Sequence, residues 1–258
     1  MISENPDIKA LREYLENQRL ERIVKRHYDH VAEANNKQAL LDLSAALNPS
    51  MFDSYMEDTL GAEDDREMES FSHKFITDLM SNFVIWKRGI AYRITEAEFY
   101  YFAADHLDIT TYPRMMNGGR WFFHQSGVDL TFDSYLAYTD RGLIDAQTSS
   151  FGGILIRSMV KHTIDEPDEL ISGPMKCVYE LWDNFDALSP QQNEYPHLLY
   201  KPVTGIQIGR SPRHYPIRQG AKSEKFASLV SKYANCPVSE SDFDKFLSLR
   251  YRFYRTDL

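Results

Sequence analysis

Cysteine is scarce in this chain of 258 residues. Its two cysteines, Cys177 and Cys236, are far apart and form no Cys-X-X-Cys pair. A disulfide framework or a cysteine-rich zinc site needs more cysteines at closer spacing, so the sequence argues against both. A reducing, cytoplasmic location is therefore the default expectation.

Long apolar runs are also missing. No run approaches the roughly 20 residues that a helix needs to cross a bilayer, so we expect no membrane partner. The first residues are polar and charged, and they resemble neither a secretory signal with an apolar core nor an acid-poor transit peptide. The sequence shows no internal repeat and no low-complexity segment. The 43% hydrophobic and 13% aromatic content indicates a globular protein with a sizeable core.

Positive charge is in deficit, and the net charge is −9. Residues 1–70 hold 16 acidic and 8 basic side chains, a balance of −8, whereas residues 191–258 hold 11 basic and 6 acidic ones, a balance of +5. The net charge argues against non-specific nucleic-acid binding, because phosphate neutralisation supplies most of that affinity. The basic C-terminal region still allows a local basic surface.

The N-terminal part of the sequence has helical character. Apolar residues at helical spacing predict helix over residues 6–48. Residues 53–70 are strongly acidic and predict a surface loop or a short exposed helix. A further helix is predicted over residues 71–82. We therefore divide the chain into an acidic helical extension, residues 1–70, and a second domain, residues 71–258.

The second domain mixes strand and helix patterns. A hairpin is predicted from residue 82 onward, with its turn at residues 87–89. Another pair of strands surrounds Ser126-Gly127, and residues 152–160 predict a short apolar strand. A helix is predicted to begin near Pro174, because proline is tolerated in the first helical turn. Strands interrupted by single helices, without regular β-α-β alternation, predict an α+β fold.

Residues 93–106 are the most informative stretch of the sequence. If this strand is extended, Glu96, Glu98 and Tyr100 lie on one face, and His106 follows six residues later. Glutamate is depleted in strands, so two on one face suggest a task other than packing. Two close carboxylates raise the pKa of one partner, which suits a general base at a cleft. A solvent-facing edge strand with two hydrated glutamates is the alternative interpretation.

Several motifs occur in an order known from one enzyme family. Arg-Ile-X-Glu-X-Glu-X-Tyr at residues 93–100 precedes a histidine, a Gly-X-aromatic strand, Ile-Leu-Ile-Arg at residues 154–157 and Ser-Gly-Pro-X-Lys at residues 172–176. This order resembles the alkyladenine (3-methyladenine) DNA glycosylases, which remove alkylated purines from DNA. The likeness spans about residues 71–180, with a weaker echo at residues 250–254. It implies a curved antiparallel sheet with surrounding helices, and we expect neither a metal nor a cofactor.

The resemblance implies a role for each matched side chain. Glu98 matches the catalytic glutamate, which activates a water molecule that attacks the sugar C1′ as the N-glycosidic bond breaks. Tyr100 and His106 match the residues that stack on the extruded base, and both have the flat side chains that this task needs. Arg157 would hold a phosphate or orient the glutamate. The helix start that contains Lys176 would supply backbone amides to a phosphate.

The sequence also departs from the family. Ser126 precedes the glycine of the second hairpin, where the family usually has an aromatic side chain that wedges into the DNA stack, and serine is too small for that task. Asp133 stands where the family tends to have asparagine, and the basic loop after His106 is largely absent. These departures suggest altered substrate choice, a non-duplex ligand, or a fold kept without the activity.

Two other functions therefore stay open beside removal of alkylated bases from DNA. One is a non-catalytic binding module of the same fold, which would recognise a planar, nucleobase-like ligand or a protein partner. The other is a hydrolase of a small nucleoside, which would need Glu96 and Glu98 to face an open, narrow cleft.

The remaining candidates rest on shorter patterns. The basic loop at residues 210–218 predicts either phosphate contacts or a solvated charged surface. His27 and His30 have a spacing that metal sites use, although a surface helix explains it better. Three side chains would give a hydrolytic alternative if they lined one cleft: His124, Ser126 and Asp133. We interpret four aromatic residues as core side chains: Trp121, Phe122, Phe123 and Phe132.

Overall fold

The computed structural model describes residues 29, 31–49, 64–164, 166–183, 195–218 and 220–258. The predicted helix before residue 29, the acidic residues 50–63, and both His27 and His30 lie outside this part of the chain. The chain divides into two compact units, Met1–Asp42 and Leu43–Leu258. The second unit contains the sheet and every candidate site residue described below.

Five helices occur in the described residues. They are α1 at residues 31–46, α2 at Asp64–Asn82, α3 at Pro174–Leu181, α4 at Lys222–Val230 and α5 at Glu240–Ser248. α2 begins before the predicted start at residue 71, so the boundary drawn at residue 70 falls within a helix. The predicted start of α3 at Pro174 is confirmed. None of these helices is long and apolar enough to span a membrane.

Twelve strands are described, and ten of them form one sheet. In chain order the ten are β1 Phe83–Lys87, β2 Ile90–Ala103, β3 His106–Leu107, β4 Trp121–His124, β5 Gly127–Thr131, β7 Phe151–His162, β8 Glu169–Ser172, β9 His197–Tyr200, β10 Ile208–Ser211 and β12 Arg252–Arg255. The main order is β10-β12-β2-β7-β5-β4, and each pairing in it is antiparallel. β6 Ile144–Asp145 and β11 Tyr233–Ala234 form a small parallel pair. The predicted α+β class is confirmed, as are both hairpins.

β2 runs through the middle of the large sheet, between β12 and β7. Its register with β7 is irregular between Ile94 and Ala97, on both sides of Glu96 and just before Glu98. Glu98 has no exposed surface, and Glu96 is only partly exposed. The alternative of a solvent-facing edge strand is therefore wrong, because both sides of β2 are covered by neighbouring strands.

One face of β2 packs into an aromatic core beneath α2. The ring of Phe99 lies 6.2 Å from that of Phe71 in α2 and 5.4 Å from that of Phe132. Tyr101 contacts Phe132 as well, at 6.2 Å between ring centroids. Because side chains alternate along a strand, Glu98 and Tyr100 point to the other face, away from this core.

The C-terminal helices pack against the end of β2. Phe102 stacks on both Phe151 and Tyr233, with ring centroids 4.8 Å apart in each pair. Leu229 of α4 and Phe243 of α5 belong to the same buried cluster. Phe102 shares its strand face with Tyr100, so this cluster fixes α4 and α5 on the side of the sheet where Glu98 lies.

The aromatic residues around the second hairpin divide into two groups. Phe132 is fully buried, as predicted, but Phe123 is 43% exposed and Trp121 is partly exposed. Their rings contact Trp182, with centroids 4.8 and 5.4 Å away. They are not core side chains, because β4 ends the main strand order and pairs only with β5 among the described strands.

Candidate functional site

Three donors hold the buried carboxylate of Glu98. Its Oε2 accepts a hydrogen bond from the Tyr100 hydroxyl at 2.9 Å and lies 3.3 Å from Nη1 of Arg157. Its Oε1 accepts from the backbone N–H of His214 at 3.3 Å. A buried charge is costly unless it is paired and hydrogen-bonded, and this carboxylate has both kinds of partner.

Arg157 lies between the two glutamates. The Nε of Arg157 donates to Oε1 of Glu96 at 2.7 Å, and the Nε of Arg252 donates to the same oxygen at 2.7 Å. Burial alone lowers the pKa of Arg157, but Glu98 and Glu96 outweigh that effect and raise it. The two carboxylates therefore share a permanent cation, and they are not the bare pair of like charges that the sequence suggested.

Tyr100 is a proton donor to Glu98. Burial raises the pKa of its phenol well above 10, and the Glu98 carboxylate raises it further, although the Arg213 guanidinium acts in the opposite direction. The phenol therefore keeps its proton at neutral pH and can only donate to the carboxylate. The guanidinium of Arg213 lies over the Tyr100 ring, 4.3 Å from its centroid.

Arg213 and Asp108 form a buried ion pair that the sequence analysis missed. Nη1 of Arg213 lies 2.7 Å from Oδ2 of Asp108 and donates to the carbonyl of Phe99 at 3.0 Å. Burial lowers the pKa of Arg213, but Asp108 and its other anionic neighbours raise it overall. The basic loop at residues 210–218 is thus more than a solvated surface. Arg213 anchors it against the Tyr100 ring, and this brings the amide of His214 to Glu98.

A cavity of about 310 Å³ opens above this network. The three residues that hold Glu98 all line it, whereas Glu98 itself is fully buried behind them and is not a lining residue. Flat side chains form much of the wall: Tyr100, Tyr112, His124 and Tyr215. Cations also line it: Arg114, Arg157, Lys225 and Lys232. Its volume falls within the roughly 300–1,000 Å³ typical of small-molecule sites.

A second network builds the wall on the hairpin side. Oδ1 of Asp129 lies 3.0 Å from Nε2 of His124, and its Oδ2 lies 2.6 Å from Nη1 of Arg114. Nδ1 of His124 accepts the backbone N–H of Ser126 at 3.2 Å, so the neutral ring carries its proton on Nε2. The ring of Tyr112 packs on His124 with centroids 4.7 Å apart. These contacts fix the side chains of this wall, and each oxygen of the Asp129 carboxylate has a partner within it.

The hydrolytic arrangement that His124, Ser126 and Asp133 would form is not assembled. The backbone of Ser126, and not its hydroxyl, contacts the His124 ring, and the Ser126 hydroxyl lies 3.4 Å from that of Tyr112. Oδ1 of Asp133 accepts the backbone N–H of Gly118 at 2.5 Å, which fixes the loop before β4. Asp129 is the carboxylate that binds His124.

The structure brings together some of the predicted site residues and separates others. Tyr100, Arg157 and Ser126 line the cavity, and the first two hold Glu98 behind it. His106 does not, because it is buried on the opposite face of β2, where its ring stacks on Tyr101 at 5.9 Å.

The helix start at residues 172–176 contributes Pro174 to the cavity lining. Lys176 is exposed in the first turn of α3 and is not among the lining residues. The role that the resemblance gave to Lys176 therefore has no support in the position of its side chain. Asp108 and Arg213 were missed because they lie far apart in sequence, and Asp129 was missed because no short motif marks its contact with His124 across the hairpin.

Comparisons of the chain with protein-family models, with curated proteins and with solved structures found no match. Among the described residues, no group of three or more His, Cys, Asp or Glu side chains is arranged to hold a metal ion. The function is therefore argued from the geometry of the cavity and of the residues beneath it.

Proposed function

We propose that the cavity binds a purine base and that Glu98 serves as the general base that hydrolyses its N-glycosidic bond. The observation that carries this proposal is the position of Glu98, which three cavity-lining residues hold directly behind the lining. The resemblance to the alkyladenine DNA glycosylases gives the same role to the same glutamate. In this proposal the ten-stranded sheet is a divergent form of the fold of that family.

The shape of the cavity supports a flat ligand. Tyr100 and Tyr215 contribute rings to the wall, and Tyr112 stacks on His124 on the hairpin side. Base-binding sites use such rings because every base has a flat face that can stack. Burial raises the pKa of Tyr215 to about 12, so its phenol stays uncharged at neutral pH.

The proposed reaction is a simple hydrolysis. A water molecule near Glu98 attacks the sugar C1′ while the bond between C1′ and the base nitrogen breaks, and the base leaves with that electron pair. Glu98 accepts a proton from the attacking water, and the departing base takes up a proton in turn. Arg157 and the Tyr100 hydroxyl hold the carboxylate in position for this proton transfer.

A non-catalytic module that binds a planar ligand is the second candidate, and two observations favour it. Glu98 has no exposed surface, and its contacts are those of a satisfied structural carboxylate. Ser126 stands at an exposed hairpin tip, where it is too small to replace a base pulled out of a duplex. In this case the cavity would bind its ligand without breaking a bond.

Base release from alkylated DNA and from hypoxanthine-containing DNA, each single-stranded and duplex, tests the enzyme. Wild type should release base, and Glu98→Gln should slow release at least about 100-fold. Glu169→Gln is the matched control, because Glu169 is exposed on β8, lies 3.7 Å from Lys161 and lines neither the cavity nor the network beneath it. Binding of the same DNA with no release by wild type would favour the second candidate.

A further inference from the structure

A second, more open concavity of about 270 Å³ lies next to the cavity. The two share Pro216 and Lys225 as lining residues. The second concavity is formed by residues 216–218, which follow Arg213 in the basic loop, and by the beginning of α4. The two concavities are therefore neighbours beside α4, and together we call them the groove.

Cations follow this groove. Lys232 and Lys225 line the cavity, and Arg218 lines the second concavity together with Lys225. All three side chains are exposed, and none forms an ion pair with a carboxylate in the described part of the chain. Glu224 is the single acidic side chain that lines the second concavity.

Lys222 of α4 offers a contrast on the same helix. It forms an ion pair with Asp244 of α5 and lines neither concavity. The cations of α4 therefore divide into one that is neutralised within the protein and one, Lys225, that faces the groove. The Nζ of Lys225 lies 5.8 Å from the centroid of the Tyr215 ring, and Lys225 can bind an anion without first breaking an ion pair with a described carboxylate.

Among the described residues that line the cavity, Asp129 is the one carboxylate, and it is already paired. Asp129 is 2% exposed and is paired with Arg114 and His124. An occupant of the groove therefore meets flat walls and the cations Lys225 and Lys232 in the cavity, and Arg218 in the second concavity. A chain of nucleotides has this combination, because it carries flat bases on an anionic backbone.

We propose that the groove binds one single strand of nucleic acid, with one base in the cavity and the adjoining phosphates along Lys232, Lys225 and Arg218. This inference rests on the proposed function for its base-binding part. A single strand fits better than a duplex for two reasons. The cations form one row, and Ser126 cannot fill the gap that a flipped base leaves in a duplex. The net charge of −9 also opposes binding of a second, more distant row of phosphates.

Fluorescence anisotropy with labelled oligonucleotides of one, two, four and six residues, and with a matched duplex, tests the groove. Affinity of wild type should rise with length, by about tenfold or more from the mononucleotide to the tetranucleotide, and the single strand should bind more tightly than the duplex. The slope of log affinity against log salt should fall by about 0.7 for each phosphate contact removed in Lys225→Gln, Lys232→Gln and Arg218→Gln. Lys222→Gln should leave the slope unchanged.

The outcomes separate this inference from the function on which it rests. Equal affinity for a mononucleotide and a hexanucleotide would contradict the binding of a strand along the groove, but it would leave the proposed base-binding cavity standing. Tighter binding of the duplex than of the single strand would overturn the single-strand assignment. Failure to bind any of these nucleotides would contradict both the proposed base-binding cavity and the binding of a strand along the groove.

Discussion

At the residue scale, the site depends on how a fully buried carboxylate is kept in place. The hydroxyl of Tyr100 and the amide of His214 donate to Glu98, Arg157 forms an ion pair with it, and Arg213 packs on the Tyr100 ring. A hydrogen bond to a charged group contributes about 1.5–3 kcal/mol, so these contacts decide both stability and the direction in which the carboxylate points.

Tyr100→Phe should weaken this arrangement. The variant keeps the ring that covers Arg213 but removes the only hydroxyl that donates to Glu98. We expect the free energy of unfolding to fall by about 1–3 kcal/mol, measured by urea denaturation. Tyr112→Phe is the control, because its hydroxyl is exposed and has only a 3.4 Å contact with Ser126. Equal losses in the two variants would contradict the role given to the Tyr100 hydroxyl.

Removing one member of the buried ion pair Asp108–Arg213 should lower the free energy of unfolding by more than Tyr100→Phe does. Arg213→Gln leaves the Asp108 carboxylate buried without its cation, and such single removals cost about 3–5 kcal/mol. The double variant Asp108→Asn, Arg213→Gln removes both charges, so its loss of unfolding free energy should be clearly smaller than the sum of the two single losses. Additive losses in this double-mutant cycle would show that the two side chains act independently.

At the scale of elements, α3 is attached to the first hairpin by charged contacts. Nζ of Lys87 lies 2.7 Å from Oδ1 of Asp183 and 2.6 Å from the carbonyl of Glu180. The hydroxyl of Tyr92 donates to Glu180 at 2.9 Å. This attachment fixes the helix whose first residue, Pro174, lines the cavity.

The attachment of α3 should be sensitive to acid. The hydrogen bond from Lys87 lowers the pKa of Asp183 in the folded protein. A lowered folded pKa gives a contribution that is present above the unfolded pKa of about 3.9 and is lost as the pH falls through the folded value. Asp183→Asn should therefore be less stable than wild type at pH 7, by about 0.5–1 kcal/mol for this half-exposed pair. The difference should vanish near pH 2, and a difference that is independent of pH would refute the assignment.

The contact between β5 and β7 leaves no room for a side chain at Gly153. A Cβ atom there would lie 2.7 Å from the carbonyl oxygen of Leu130 and 3.0 Å from Nη1 of Arg114. Gly153→Ala should lower the free energy of unfolding by about 1–3 kcal/mol and weaken oligonucleotide binding, because it displaces the cavity wall. Gly142→Ala is the control: its φ of 74° makes it strained, but no atom lies within 4 Å, so binding should stay unchanged.

The elements were predicted from the sequence more successfully than the site. Alternation of side chains placed Glu96, Glu98 and Tyr100 together, and turn residues located both hairpins, because these signals are local. His106 was misplaced because β3 returns beside β2 and turns the histidine towards Tyr101, on the opposite face. Its neighbours in sequence do not determine that pairing.

At the scale of the whole molecule, the cavity is assembled from segments that are far apart in the chain. Its wall combines β2, β7, the second hairpin, the loop after β10 and α4. Arg213 lies beside Asp108, and the amide of His214 beside Glu98, because β10 and β12 continue the sheet beside β2. Such pairs depend on tertiary packing, so spacing within one segment carries no signal for them.

The structure also shows where part of the basic C-terminal region lies. The sequence placed a positive balance in residues 191–258, and the structure places three of these cations, Arg218, Lys225 and Lys232, along one groove. A net charge of −9 therefore coexists with a local surface that can attract an anion. The sequence alone could indicate the basic region but not the groove that concentrates it.

A single experiment on Glu98→Gln can separate binding from chemistry. The dissociation constant for a hypoxanthine-containing single strand and the single-turnover rate of base release would be measured on the same protein as wild type. We predict that the dissociation constant changes by less than about threefold, whereas the rate of release falls at least about 100-fold, because the amide cannot accept the proton from water. Release by the variant at the wild-type rate would contradict the assignment of Glu98 as the general base.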